Sequence, residues 1–132
     1  MDRQVFEMSE VADIVGAKLA TVKNWTIGRP LRIIPSIRIA EGAGRSNLYS
    51  LKDIYRFALA NELHKAGMTP KRIGDILSKL VGEDLAEIVF IKIWHNGRGL
   101  TILKDSLDPP EGAKIWQIID LTKIVHEIDD KL

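Results

Sequence analysis

The sequence predicts two units in series: a mainly α-helical unit over residues 1–82 that carries a hairpin, then a small α+β unit over residues 83–132. Three observations predict this. Apolar residues recur at helical spacing in four stretches before Gly82, and β-branched and aromatic residues gather from Ala86 to Trp94. The charge also changes sign there, with 13 Lys+Arg against 8 Asp+Glu before residue 83 and 6 against 10 after it. The formal net charge of +1 over 132 residues is therefore a +5 part followed by a −4 part.

The elements follow in order. Val11, Ala12, Ile14 and Val15 form one face of a short helix, with Ser9 as N-cap and Gly16 as its stop. After a turn through Ala17 and Lys18, a second helix from Leu19 to Ile27 turns Val22 and Trp25 inward and leaves Thr21, Lys23 and Asn24 facing out. Gly28, Pro30 and Pro35 prevent a long helix. Ser36 to Ala40 alternates as a half-buried strand, Glu41 to Gly44 turns, and Arg45 to Tyr49 returns as the second strand of a hairpin. Ser50 caps a third helix carrying Leu51, Ile54, Tyr55, Ala58, Leu59 and Leu63 up to Gly67. Thr69 and Pro70 open a fourth, whose apolar face is Ile73, Ile76, Leu77 and Leu80.

In the second unit, Ala86 to Trp94 reads as a strand and His95 to Arg98 as a tight Asn-Gly hairpin turn. Leu100 to Leu103 forms the return strand, Asp108 to Gly112 a loop and Lys114 to Ile119 a third strand. Asp120 caps a terminal helix with Leu121, Ile124, Val125 and Ile128 on one side. Ile88, Phe90 and Trp94 alternate with Val89, Ile91 and Ile93, so the first strand is apolar on both faces. One face would pack on the terminal helix, leaving the other for the first unit or a second subunit; a homodimer through residues 83–132 is the expectation.

Composition removes several kinds of chemistry. With no cysteine there is no disulfide, thiolate metal site or cysteine nucleophile. His64, His95 and His126 have no zinc spacing, and Trp25, Trp94 and Trp116 read as core or interface anchors. Glu83, Asp84 and Glu87 read as a solvated junction without a nucleophile beside them, and Gly42 to Arg45 as a hairpin tip rather than a phosphate loop. No catalytic residue, metal or cofactor is expected; residues 83–132 are expected to dimerise or to receive a signal, and a small-molecule effector is possible but has no residue pattern to support it. The first ten residues lack the apolar core of a signal peptide and no run of 18 apolar residues occurs, so a cytoplasmic protein without a membrane span is expected.

Two short helices, a tight turn, a hairpin and a further helix make a winged helix-turn-helix, with the small α+β module behind it. Its second helix is narrow enough for a DNA major groove. Lysine reaches phosphates or guanine O6 and N7, threonine bonds phosphates, and an asparagine amide pairs with adenine N6 and N7. The candidate duplex-contacting residues are Lys18, Thr21, Lys23 and Asn24 on the second helix and its turn, and Arg38, Arg45 and Asn47 on the hairpin.

Four segments, Met8 to Gly16, Thr21 to Trp25, Tyr49 to Ile54 and Leu63 to Ile73, resemble in order and spacing the DNA-binding domain of MerR-type transcriptional regulators. The resemblance covers roughly residues 6 to 80, about three-fifths of the chain. It implies a wing at the glycine-rich hairpin, DNA contacts from Thr21, Lys23 and the wing, and structural roles for Val11, Ala12, Val22, Trp25, Tyr49, Ile54 and Ile73. This chain departs from the family's pattern in having Lys23-Asn24 where an arginine and a tyrosine are common, and Asn47 where the wing often has arginine. A long dimerisation helix is not evident after Gly82. The expected function is a sequence-specific, bacterial regulator of transcription that binds double-stranded DNA as a dimer. An excisionase-like protein that bends DNA, or a protein-interaction module that has lost DNA, are the alternatives.

Overall fold

The structure, a computed structural model, describes residues 5–40, 46–95, 100–104 and 115–132. Its helices are α1 (Met8–Val15), α2 (Leu19–Ile27), α3 (Leu51–Lys65), α4 (Pro70–Lys79) and α5 (Leu121–Asp129). Three strands, β1 (Phe90–His95), β2 (Leu100–Lys104) and β3 (Ile115–Asp120), form an antiparallel sheet in the order β2-β1-β3. The fold class is the one expected, a mainly helical N-terminal region with a small sheet and a closing helix behind it.

α3 is the axis of the molecule, packing against α1, α4 and α5. Ile54, Tyr55, Phe57, Ala58, Leu59, Ala60 and Leu63 are all buried, so it is apolar around most of its circumference. It starts where expected: the Ser50 hydroxyl accepts the Asp53 N–H at 3.2 Å and the Asp53 carboxylate accepts the Ser50 N–H at 3.0 Å, a reciprocal cap. Thr69 caps α4 ahead of Pro70, and α4 buries Ile73, Ile76 and Leu77, with Leu80 just beyond it, as its spacing predicts. Each such side chain contributes roughly 1.5–3 kcal/mol by leaving water.

The buried residues form one cluster running from Phe6 to Ile128, across the place where the charge changes sign. α5 is capped by Asp120, whose carboxylate accepts the Lys123 N–H at 3.0 Å. It lays Leu121, Ile124, Val125 and Ile128 inward, and the Tyr55 hydroxyl donates to Asp129 at 2.7 Å. Lys131 donates to the carbonyl of Ile14 at 2.9 Å, tying the end of α5 to α1. Opposite positions in the sheet include Ile91 with Ile119 and Trp94 with Trp116.

Three expectations are corrected. The N-cap of α1 is Glu7, not Ser9, and the Glu7 N–H is held by the Glu10 carboxylate at 3.1 Å. The helix starts early because Phe6, 1% exposed, is fixed by a two-bond bridge to Tyr49 that local sequence does not reveal. Next, β1 begins at Phe90 rather than Ala86. The Asp84 carboxylate accepts the Ala86 N–H at 3.0 Å and winds Leu85–Glu87 into a turn of 3-10 helix, which leaves Val89 57% exposed while Ile91 is buried.

The third correction concerns the hairpin. Among its described residues Arg38 and Leu48 form the one bridge across it, and neither Ser36–Ala40 nor the described part of Arg45–Tyr49 is a regular strand. The N–H groups of both Ile37 and Arg38 donate to the Leu48 carbonyl, at 3.2 and 3.1 Å, a β-bulge that breaks the two-residue alternation. The expected tip from Glu41 to Arg45, the Asn-Gly turn between β1 and β2 and the loop from Asp108 to Gly112 lie outside the described residues.

Candidate nucleic-acid interface

α1 ends at Gly16 in the left-handed conformation (φ 79°), where its N–H and that of Ala17 both return to the Ala12 carbonyl. The chain then enters α2 after two residues. Lys18 is the N-cap and offers no side-chain hydrogen bond to the helix; its carbonyl accepts from Thr21 and Val22.

α2 is fixed from behind. Val22, Trp25 and Thr26 are buried. The Thr26 hydroxyl donates to the Val22 carbonyl at 2.9 Å and lies 2.7 Å from the Tyr49 hydroxyl. Ile33 donates to the Trp25 carbonyl at 2.6 Å, and the Trp25 indole meets the His64 ring edge-on with centroids 5.8 Å apart. His64 is exposed on α3 and, through this ring contact, is part of the backing of α2.

The opposite side of α2 exposes Ala20, Lys23, Asn24 and Ile27, which fall at i, i+3, i+4 and i+7 and so line one stripe. Lys18 is exposed beside its start and Thr21 is half-buried at its margin. Of the residues singled out on this element, Lys23 and Asn24 share the exposed stripe, Lys18 is exposed at the helix start apart from that stripe, and Thr21 is covered in part. Arg29, Arg32, Arg38 and Lys52 are exposed nearby in sequence.

The segments 36–40 and 46–49, which the resemblance reads as a wing and which take that label, are held differently. Asp53, 0% exposed, gathers three donors on its Oδ2: the Ser36 N–H at 2.8 Å, the Ser36 hydroxyl at 2.8 Å and the Ser50 N–H at 3.0 Å. Its Oδ1 accepts no hydrogen bond and lies 3.6 Å from the Arg56 guanidinium, a buried carboxylate charge met by one cation. One side chain thus caps α3 and anchors the base of the wing.

Further out, the Asn47 side-chain oxygen accepts the Ala40 N–H at 2.7 Å and Arg38 Nε donates to the Ser46 carbonyl at 3.0 Å. Asn47 and Arg38 therefore support the backbone of their own segment. Arg45 lies outside the described residues.

Tyr49 links the two parts, since its backbone pairs with Phe6 while its hydroxyl meets Thr26 on α2. Burial pushes its phenol above the ordinary value of 10.0; the Thr26 hydrogen bond opposes that rise and the charge of Asp53 adds to it. The phenol is neutral at physiological pH. Phe6, Thr26, Ser36 and Asp53 are the functional supports that the sequence did not reveal. Ser50 and Asp53 in a Ser-x-x-Asp pattern were the one signal for any of them.

Among the described residues no three His, Asp or Glu side chains gather as metal ligands, and no helix is long and apolar enough to cross a membrane. Over residues 6–80 the sequence matches the family described as MerR HTH family regulatory protein. No curated protein matches the chain.

Proposed function

As the chain belongs to the MerR HTH family of regulatory proteins, we propose that it is a transcriptional regulator that binds double-stranded DNA by inserting α2 into the major groove. The observation that carries this reading is the exposed Ala20-Lys23-Asn24-Ile27 stripe on a helix whose other side is locked against Tyr49, Ile33 and His64. A rigid, cation-bearing helix face is what base readout needs. Asn24 reads a base edge, Lys23 and Lys18 contact phosphates or a guanine, and Thr21 adds a phosphate contact at the margin. Arg38, Arg45 and Asn47 form or brace the wing, which meets the flanking backbone or minor groove.

In this reading residues 1–82 are the DNA-binding unit and residues 83–132 the dimerising one. A dimer places two α2 helices on half-sites about 34 Å apart. The exposure of Val89, just before β1, and of Ile118 (52%) in β3 supports an apolar contact with a second copy. The net charge of −4 over residues 83–132 favours keeping that part away from the duplex. The reading assigns no catalysis.

The test is a binding titration on duplexes recovered by selection from a randomised pool. Lys23→Ala should weaken binding to all sequences and lower the slope of log affinity against log salt by about 1, while Asn24→Ala should relax the preference at one base pair. An unchanged slope together with an unchanged preference would remove α2 from the interface.

A further inference from the structure

The wing carries a feature that cation–phosphate contacts do not use. Ile37 is 47% and Ile39 49% exposed, on either side of the exposed Arg38. Regular alternation would have sent the two isoleucines inward; instead the double donation of Ile37 and Arg38 to the Leu48 carbonyl breaks the strand there. Single exposed aliphatics are ordinary on a protein surface. Here two β-branched ones sit on the element that the duplex-binding reading places against DNA, within a segment that also exposes Arg29 and Arg32.

We propose that Ile37 and Ile39 form a wedge that enters the minor groove, partly unstacks the base steps it meets and bends the duplex. This rests on the duplex-binding reading above and gives the wing a task within it. Arg38 between the isoleucines, with the exposed Arg29 and Arg32 earlier in the chain, selects a polyanion and opposes a second copy of the same positively charged face. Branched aliphatics need an apolar slot, and in a duplex that slot is the stacked face of a base step, where inserted aliphatics kink the helix. The buried Asp53 carboxylate holds Ser36, the residue before the wedge, by two hydrogen bonds and so gives it a fixed base.

The experiment uses the full chain and end-labelled duplexes recovered by selection, with 2-aminopurine placed in turn at each step of the flank the wing would reach. The wild-type chain should raise energy transfer between the duplex ends and brighten 2-aminopurine at one or two adjacent steps. The double variant Ile37→Ala/Ile39→Ala should lose at least roughly half of the energy-transfer change and the local brightening while keeping the salt slope of the wild type, and Ile37→Leu/Ile39→Leu should restore both. Bending and brightening retained by the alanine variant would overturn the proposal and leave duplex binding intact. Bending retained with lost cooperativity on two adjacent sites would overturn it too and make the wedge a contact between copies. A wild-type chain that binds no selected duplex would instead remove the duplex-binding reading itself.

Discussion

The two elements that flank the candidate interface are stabilised in opposite ways. α2 is backed by a packed apolar surface, with Val22 and Trp25 buried in the main cluster and Thr26 bonded both to its own helix and to Tyr49. Among the described residues, the wing segment has the Arg38–Leu48 bridge, the bulge beside it and the buried Asp53 carboxylate at its base. Rigidity in the first comes from many small van der Waals contacts spread over a face; in the second it comes from a few polar bonds concentrated on one oxygen. Packing degrades gradually when altered. A polar anchor that depends on one atom fails all at once.

Breaking each support in turn tests that contrast. The largest effect is expected from Trp25→Ala, which empties an indole-sized space beside His64 and should cost about 3–5 kcal/mol in a denaturant titration, lowering the stability of the whole chain. Asp53→Ala should cost less, about 1–3 kcal/mol, because it strands the N–H groups of Ser36 and Ser50 without opening a large cavity. Its effect should be local: amide hydrogen exchange at Ile37 and Arg38 should accelerate far more than at Val22. Equal acceleration at both would show that the two elements share one support.

The smallest effect sharpens the link between them. Tyr49→Phe removes the hydroxyl bonded to Thr26 and should cost about 0.5–1.5 kcal/mol at neutral pH. The wild-type phenol holds its proton more tightly when folded than when unfolded, so the unfolded chain is the first to ionise as pH rises. Stability from this group is complete below 10.0, the ordinary tyrosine value, and declines above it. Thermal midpoints measured from pH 8 upward should fall more steeply above about 10 in the wild type than in Tyr49→Phe. Parallel profiles would mean that another group governs the alkaline limb.

Most of the helical scaffold was legible because its signals are local. Gly16, Ser50, the Thr69-Pro70 pair and Asp120 each mark a helix end within a turn of the residues they act on, and the apolar faces of α3, α4 and α5 repeat at fixed spacing. What was not legible depends on partners far apart in sequence. The start of α1 is set by Phe6 pairing with Tyr49, and the wing by Ser36 reaching Asp53 across 17 positions. Alternation at Ile37-Arg38-Ile39 predicted burial, but burial requires something to pack against, and alternation says nothing of that. The outward face of α2 was visible through Val22 and Trp25, which fix its inner side, and Ala20 and Ile27 complete the stripe.

The bond from Lys131 to the Ile14 carbonyl spans 117 positions, and Asp129 reaches Tyr55 over 74. During synthesis α1 and α3 therefore emerge long before the helix that seals them. At roughly 5–20 residues per second, translation takes on the order of 6–20 s to carry the chain from the first partner to the last. For that interval the surface of α3 that α5 covers faces solvent or a chaperone. The nascent chain should accordingly be captured by apolar-binding chaperones until residues 121–131 are free of the ribosome, and be released when α5 docks.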